Sequence, residues 1–380
     1  MRRPRHWRAL LPAVLIAAAG VRAGAPPEEL TGLLGPGAQA GFAQVLAPRA
    51  FSFPADHGPH REYRQEWWYT TGNLKSADGE RFGFELTFFR YALVPPTAAA
   101  AAPGSSAWRA HEIYMAHFAV TDVARARFRF AQKLERAALG LAGAQAEPLR
   151  VWVDDWTLSA AGTAPGDWQL RAAGEGYAIE LQLEAAATPV LNGENGFSAK
   201  SAEPGNASYY YSLPRVAVHG RLLRAGVPLQ VTGLAWFDRE WGSGGLGAQQ
   251  AGWDWFALQL DDGSALMFYA LRERGGGRDR HSAGTWVAAS GATRRLGADA
   301  VAIEVTDRWL SPQRVRYPSA WRVQVPELAL DLTVRPVLAD QELLGTPHYF
   351  EGAVDVTGTR AGARVGGAGY VELVGYPQER

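Results

Sequence analysis

The sequence predicts an all-β chain folded as barrels or sandwiches, and three observations lead to that class. Apolar residues mostly alternate with period two, in short runs. Glycine-bearing turns separate these runs, while segments with the 3.6-residue helical period are scarce. Glycine occurs 43 times and Trp 14 times in 380 residues, a composition suited to tight turns and aromatic strands.

Taken in order, the chain begins with Arg2, Arg3, Arg5 and Arg8, then an apolar run over residues 10–19 and the small-residue site Val21-Arg22-Ala23. This pattern is that of a cleaved secretory signal over 1–23, so the mature chain is expected to be periplasmic or secreted. The apolar run is too short to span a bilayer, and no later segment reaches the ~20 apolar residues that a spanning helix needs. Arg2-Arg3 lacks the residues that normally follow a twin-arginine pair. Residues 24–50 read as a linker.

The first hairpin is expected at residues 67–74 and 82–91, turning through Asp78-Gly79. Residues 95–106, bracketed by Pro95-Pro96 and Pro103-Gly104, read as a disordered loop tip despite their alanine run. Strands follow at 113–120, 149–153, 156–160, 168–172 and 177–183, with one short helix expected at 132–141. Residues 216–223 and 229–236 form another expected hairpin. After it come 253–260, the turn Asp261-Asp262-Gly263 and 265–272, then strands at 284–289, 300–309, 319–325, 328–336, 349–357 and 369–375. The roughly 355 mature residues exceed what one core usually serves, so two domains are expected, at 51–236 and 237–377. An internal echo supports related halves: each has a Trp-rich strand, an Asp-Gly turn and a second apolar strand carrying an Arg near its end (Arg90, Arg272). Convergent hairpin chemistry accounts for the echo equally well.

Charge and cysteine content exclude several classes. Lys plus Arg and Asp plus Glu both number 38, so no global field favours nucleic acid or an anionic membrane. With no cysteine, disulfides, lipoprotein anchors and thiolate metal sites are impossible. No Gly-x-Ser-x-Gly elbow and no phosphate-binding glycine loop occurs; Gly242-Ser243-Gly244-Gly245 reads as a flexible turn. His57 and His60 have only generic metal-ligand spacing, and neither a metal nor another cofactor is expected.

The informative pattern is acid set among indoles: Glu66-Trp67-Trp68-Tyr69, Trp236-Phe237-Asp238-Arg239-Glu240-Trp241 and Trp253-Asp254-Trp255. Carboxylates enter apolar surroundings when paired or placed for function, and aromatic rings beside them suit a ligand cavity. Asp238 and Glu240 lie two apart and share a strand face, so mutual repulsion and burial would raise a pKa toward the range of a general acid. The alternative is a structural ion network closed by Arg239. Asp254 and His117 complete the candidate catalytic set, although a strand histidine is more often a hydrogen-bonded core residue. The candidate ligand contacts are Glu66, Trp67, Trp68, Tyr209, Tyr211, Trp236, Trp241, Trp253, Trp255 and Tyr269. Of these, Glu66 is expected to pair with Arg90, and Tyr210 to pack away from a pocket lined by Tyr209 and Tyr211. Glu351 and Glu372 read equally well as barrel-rim residues.

Seven ordered segments carry a family resemblance: 53–60, Glu66 to Gly72, Ala116-His117-Phe118-Ala119-Val120-Thr121-Asp122, Asn206 to Ser212, Trp236 to Trp241, Gly252 to Phe256 and Gly369-Tyr370-Val371-Glu372-Leu373. Over 51–376 the chain resembles the AttH/carotenoid 1,2-hydratase-like family, whose secreted members are often labelled predicted secreted hydrolases. The resemblance implies two consecutive lipocalin-like β-barrels with a ligand site at or between them, and relatives that hydrate an isolated C=C bond. It leads to an exported protein binding a hydrophobic, isoprenoid or lipid-like molecule, with acid-assisted hydration or isomerisation as its chemistry. The export signal argues against a membrane-embedded carotenoid. A non-catalytic lipid carrier and a glycan-binding or glycan-cleaving protein, for which Trp platforms and acid pairs also serve, remain the alternatives.

Overall fold

The computed structural model describes residues 40–101, 106, 108–162, 166–184 and 188–379. The expected signal at 1–23 and the first part of the linker lie outside these residues. Two curled antiparallel sheets follow one another along the chain.

The first sheet comprises β1 (Gln65–Ser76), β2 (Arg81–Ala92), β3 (Glu112–Asp122), β4 (Arg127–Arg136), β5 (Ala142–Gln145), β6 (Arg150–Val153) and β7 (Trp156–Ala160). It continues with β8 (Asp167–Gly174), β9 (Tyr177–Glu184), β10 (Val190–Leu191), β11 (Phe197–Ala199), β12 (Ala207–Arg224) and β13 (Val227–Gly242). The second comprises β14 (Gln250–Leu260), β15 (Ala265–Glu273), β16 (Ala283–Val287), β17 (Thr293–Gly297), β18 (Ala302–Leu310), β19 (Arg316–Val325), β20 (Leu330–Pro336), β21 (Glu342–Leu343), β22 (Tyr349–Arg360) and β23 (Ala363–Val374).

Both sheets are wound alike. In the first the order is β4-β3-β2-β1-β13-β12-β9-β8-β7-β6-β5, and in the second β17-β16-β15-β14-β23-β22-β20-β19-β18. The opening strand of each lies between its hairpin partner and its closing strand, which is the structural counterpart of the sequence echo. The division expected between 236 and 237 falls inside β13. The chain leaves the first sheet at Gly242 and enters the second at Gln250.

Both Asp-Gly turns form where expected, with Gly79 and Gly263 at φ +88° and +86°, a conformation that glycine adopts without a Cβ clash. Two local expectations are overturned. Residues 132–136 continue β4, because Ile113 to Asp122 offers a full antiparallel ladder that outweighs the helical propensity of the Lys-Leu-Glu-Arg stretch. Within 95–106, the alanines instead form a short helix, α1 (Pro96–Ala101), whose first position suits proline.

Burial patterns show how the barrels meet. Strand β9 alternates strictly between buried residues and half-exposed or exposed ones, as a strand with one wet face does. By contrast β1, β2 and β15 are buried on both faces over most of their length. One face fills the strand's own barrel, where Trp68, Phe84, Trp156 and Trp241 in the first and Phe256, Trp321 and Phe350 in the second form separate cores. The other face packs against the neighbouring barrel, and Tyr69, Trp236, Trp255, Tyr269 and Tyr370 belong to this third cluster. Contact is close: a Cβ on Gly83 would lie 2.6 Å from the Tyr370 hydroxyl and 2.7 Å from the Ala353 Cβ. Polar bonds also cross, including Asn73 Nδ2 to the Gly369 carbonyl (3.1 Å) and Gln259 Nε2 to the Pro214 carbonyl (2.7 Å).

Candidate active site

Alternation along β13 splits its Trp-acid motif between two environments. Trp236, Asp238 and Glu240 face the second barrel, while Phe237, Arg239 and Trp241 point into the first. Register then sets Asp238 between Tyr69 of β1 and Ser212 of β12, and Glu240 between Trp67 and Tyr210. Across the gap the second barrel presents Trp253, Trp255, Tyr269 and Glu372. Together with Phe89, Tyr91 and Tyr349, these groups line a cavity of about 150 Å³ between the barrels.

The inter-barrel segment forms part of its wall. Gly244, Gly245 and Leu246 line the cavity, and several bonds hold the segment that was expected to be flexible. Gln65 Nε2 donates to the Gly244 carbonyl, Gly245 N to Asn206 Oδ1 (2.8 Å) and Ser243 Oγ to the Gly205 carbonyl (2.6 Å).

The acids in this cavity differ in charge state. Burial pushes Asp238 up to about 7, against the pull of hydrogen bonds from Ser212 (2.5 Å), Tyr210 and Trp236 Nε1 (2.6 Å). Burial likewise pushes Glu372 up to about 8, and the charges of Glu85, Asp238 and Glu240 add to the push while the Trp253 indole N–H opposes it. Glu372 therefore holds its proton at neutral pH, and Asp238 exchanges one there. Glu240 is paired instead, with Lys200 Nζ 2.8 Å from its Oε1. Behind the cavity wall sit two further buried carboxyls. Glu351 accepts from the Tyr69 hydroxyl (2.7 Å) and Glu85 from that of Tyr349 (3.2 Å). Desolvation raises both, Glu85 to about 7. An acid that keeps its proton and a base near neutrality, in one aromatic-walled space, can move protons to and from a bound molecule. Among the described residues, no group of three or more His, Asp or Glu is arranged to hold a metal ion.

The AttH-like family profile matches residues 44–376. The chain belongs to the AttH-like family. A solved AttH from Nitrosomonas europaea superposes with a TM-score of 0.78 at 36% identity, over 88% of this chain and 100% of that one. Kievitone hydratase from Nectria haematococca shares the fold at TM-score 0.66 and 16% identity, over 89% of this chain and 97% of its own. The dehydratase asqC of Emericella nidulans is 26% identical over 215 residues, 52% of this chain and 58% of the fungal protein, so the match spans little more than half that relative's length. The all-β, two-barrel architecture expected from the sequence is thus the AttH-like architecture.

Within this AttH-like frame, the predicted site residues separate into those at the cavity and those elsewhere. Asp238, Glu240, Trp67, Trp253, Trp255 and Tyr269 line it. Trp236 packs between the barrels and reaches the cavity only through its bond to Asp238. Asp254 does not join them: adjacent to two cavity indoles on β14, it points the opposite way, bonding Arg272 Nε (2.9 Å) and the Tyr376 hydroxyl (3.0 Å). His117 stands one residue behind the wall, its Nδ1 2.7 Å from the Tyr349 hydroxyl, and burial drives it down to about 3, so it stays neutral.

Glu66, Trp68 and Trp241 lie inside the first barrel. There Glu66 takes both Arg90 and Arg239, and these guanidinium groups, outweighing burial, hold its carboxyl well below the usual range. The Arg239 guanidinium also lies 3.9 Å over the Trp68 ring, and His60 stacks on Trp241 at 3.8 Å. Tyr209 and Tyr211 are core residues of this barrel, with Tyr211 bonded to His57 Nδ1 (2.6 Å). The expected tyrosine faces are reversed, because the cavity lies outside the barrel and Tyr210 is the one that reaches it.

Sequence reasoning left Glu372 open as a barrel-rim residue, outside the candidate set, and passed over Lys200, Tyr91 and Tyr349. Glu372 had a usable signal, as a lone acid in the apolar strand Tyr370-Val371-Glu372-Leu373. Lys200 had none, since it follows a three-residue strand in a polar stretch.

Proposed function

We propose that this AttH-like protein binds a small, apolar, unsaturated molecule between its barrels and adds or removes water across a C=C bond by carboxyl acid–base catalysis. The observation that carries this reading is the pairing of protonated Glu372 with near-neutral Asp238 in one ring-walled cavity. In hydration Glu372 delivers a proton to one alkene carbon. The faces of Trp67, Trp253 and Trp255 stabilise the positive charge that develops, at about 0.5 to 2 kcal/mol each. Asp238 takes the proton of the incoming water as its oxygen bonds to carbon, and dehydration reverses these steps. Relatives named as a hydratase and a dehydratase support the reaction class.

An apolar cavity of roughly 150 Å³ holds a benzene-sized group, so a reactive head fits inside and a longer tail would extend beyond it. This size argues against a substrate enclosed along a carotenoid's length. The Arg-rich, apolar start of the chain supports export to the periplasm or beyond. Among the described residues, no helix is long and apolar enough to cross a membrane.

The test is solvent-label uptake. Unsaturated molecules without a carbonyl (myrcene, linalool, α-terpineol) and with one (trans-3-non-en-2-one) are incubated with the protein in deuterated, ¹⁸O-enriched water and analysed by mass spectrometry. Label should enter at least one of them with the wild type, and Asp238→Asn and Glu372→Gln should each slow that uptake by ~10²–10⁴-fold while leaving binding intact. Tight binding of apolar molecules without label uptake in this panel or in co-purified ligands would make the protein a carrier. Tryptophan fluorescence that responds to sugars but to no apolar molecule would overturn the ligand class.

A further inference from the structure

The cavity contains a cation that acid–base chemistry on a bare alkene does not use. Lys200 leaves the end of β11 and buries its side chain between the barrels, and it is the one Lys or Arg among the described residues lining the space. Its Nζ lies 4.5 Å from the centre of the Tyr269 ring and 5.4 Å from that of Tyr210. An ammonium has three N–H donors. Glu240 receives one, leaving two for the ring faces and for whatever fills the cavity. A second donor is available nearby: the buried Tyr91 hydroxyl has no hydrogen-bond partner among the described residues. Buried polar groups are rarely left unpaired, and those lining a pocket commonly find their partner on the ligand.

We propose that Lys200 sets the substrate class by binding a neutral carbonyl oxygen conjugated to the reacting double bond, so that the substrate is an enone or its β-hydroxy ketone. This inference rests on the hydro-lyase reading above. Charge selects a carbonyl over a carboxylate. Asp238, Glu240 and Glu372 share the cavity, and an anionic ligand would meet these acids with one already paired cation to offset them. A neutral carbonyl accepts the N–H without that repulsion, and it gains negative charge as the reaction proceeds, when the ammonium helps most.

The electron flow then balances without another reactant. In hydration Asp238 takes a proton from water as the water oxygen bonds to the β-carbon, and the C=C electrons move through to the carbonyl oxygen as an enolate held by Lys200. The enolate re-forms the carbonyl as the carbon next to it takes the proton of Glu372, which gives the β-hydroxy ketone. Transfer of the proton from Asp238 to Glu372 resets the site. Dehydration is the same path in reverse.

The experiment uses the full mature protein with trans-3-non-en-2-one and its ketone-free counterpart trans-3-nonene. Affinities are read by isothermal titration calorimetry, and 4-hydroxynonan-2-one formation by mass spectrometry against protein-free controls. The enone should bind more tightly than the alkene, and Lys200→Met should weaken enone binding by ~10- to 100-fold with alkene affinity unchanged. Because Lys200→Met strands the Glu240 carboxylate, the charge-neutral double variant Lys200→Met/Glu240→Gln is measured beside it and should show the same loss. Equal binding of both ligands by the wild type, or enone binding by the double variant at wild-type strength, overturns the assignment. The two readings fail separately. Lys200-dependent enone binding without water addition upholds the carbonyl site and sinks the hydro-lyase reading. Label uptake into isolated alkenes that survives Lys200→Met does the reverse.

Discussion

Replacing Glu372 with Gln should stabilise the protein at alkaline pH, because the wild-type carboxyl is ionised there in a place that disfavours charge. Glu372 titrates near 8 in the fold, against 4.5 when unperturbed. Below 4.5 folded and unfolded chains both carry the proton, so the group costs nothing. As pH rises from there toward 8 the unfolded chain releases the proton while the folded chain keeps it. Stability therefore falls through this window and levels off above it. At 1.36 kcal/mol per pKa unit, the loss at pH 8 is on the order of 4 kcal/mol, and at pH 5 it is under about 1 kcal/mol. Gln is isosteric, and its amide oxygen can still accept the Trp253 indole N–H. For barrels of this size each kcal/mol shifts Tm by about 2–4 °C. Calorimetry across pH 5 to 9 should thus show the Glu372→Gln Tm diverging upward from wild type by roughly 8–15 °C by pH 8, with near coincidence at pH 5. Parallel curves over the whole range would mean that Glu372 is not held protonated and cannot serve as the proton donor.

Other perturbations probe the frame around the site. Glu66→Gln leaves Arg90 and Arg239 buried without their shared carboxylate, and should cost about 3–5 kcal/mol in urea unfolding. A change within 1 kcal/mol would show the network to be dispensable. His117, driven down to about 3 by burial, stays neutral in the fold while the unfolded chain takes up a proton below 6.5. Its contribution is therefore present above 6.5 and lost as pH falls toward 3, so His117→Gln should flatten the acid limb of the Tm profile. An unchanged limb would place the acid sensitivity elsewhere, with His57 at about 4 the next candidate. Gly83→Val puts a branched side chain where even a Cβ meets Tyr370 and Ala353. It should loosen barrel docking and abolish ligand binding while far-UV circular dichroism stays that of two β-barrels; retained affinity would show that the contact is not needed to shape the cavity.

The fold was legible because hairpin signals are local. Asp78-Gly79 and Asp262-Gly263 sit between apolar runs, and both turns form there. The weak likeness of those hairpins proved to mark equivalent places, the opening strand beside the closing strand of each sheet. Side-chain direction was not legible for a physical reason. A strand between a filled barrel and a second barrel is apolar on both faces, so β1 and β2 carry no polar–apolar alternation to say which face holds the site. Tyr210 and its neighbours Tyr209 and Tyr211 were therefore assigned to the wrong sides. Asp254 was drawn in by sequence adjacency to Trp253 and Trp255, although adjacency on a strand means opposite faces. The pairing of Glu66 with Arg90 was readable, because a buried acid on one strand of a hairpin faces an Arg at the matching position of the other.

The position of the cavity follows from what fills the barrels. The first barrel is occupied by indoles and by the Glu66, Arg90 and Arg239 cluster, and the second by its own aliphatic and aromatic core. The cavity lies outside both cores, between the facing outer surfaces of the two sheets. Such a site takes its parts from both sides: Asp238 belongs to the first sheet and Glu372 to the second. The Trp255 indole N–H of the second barrel reaches the Tyr210 hydroxyl of the first at 3.1 Å, and that hydroxyl in turn donates to Asp238. The charge of Asp238 also helps hold the proton on Glu372. Each barrel thus supplies one half of the proposed acid–base pair and tunes the other half, so that arrangement exists only while the two barrels are docked. A barrel held apart from its neighbour keeps only one of the two carboxyls and is expected to show none of the proposed activity.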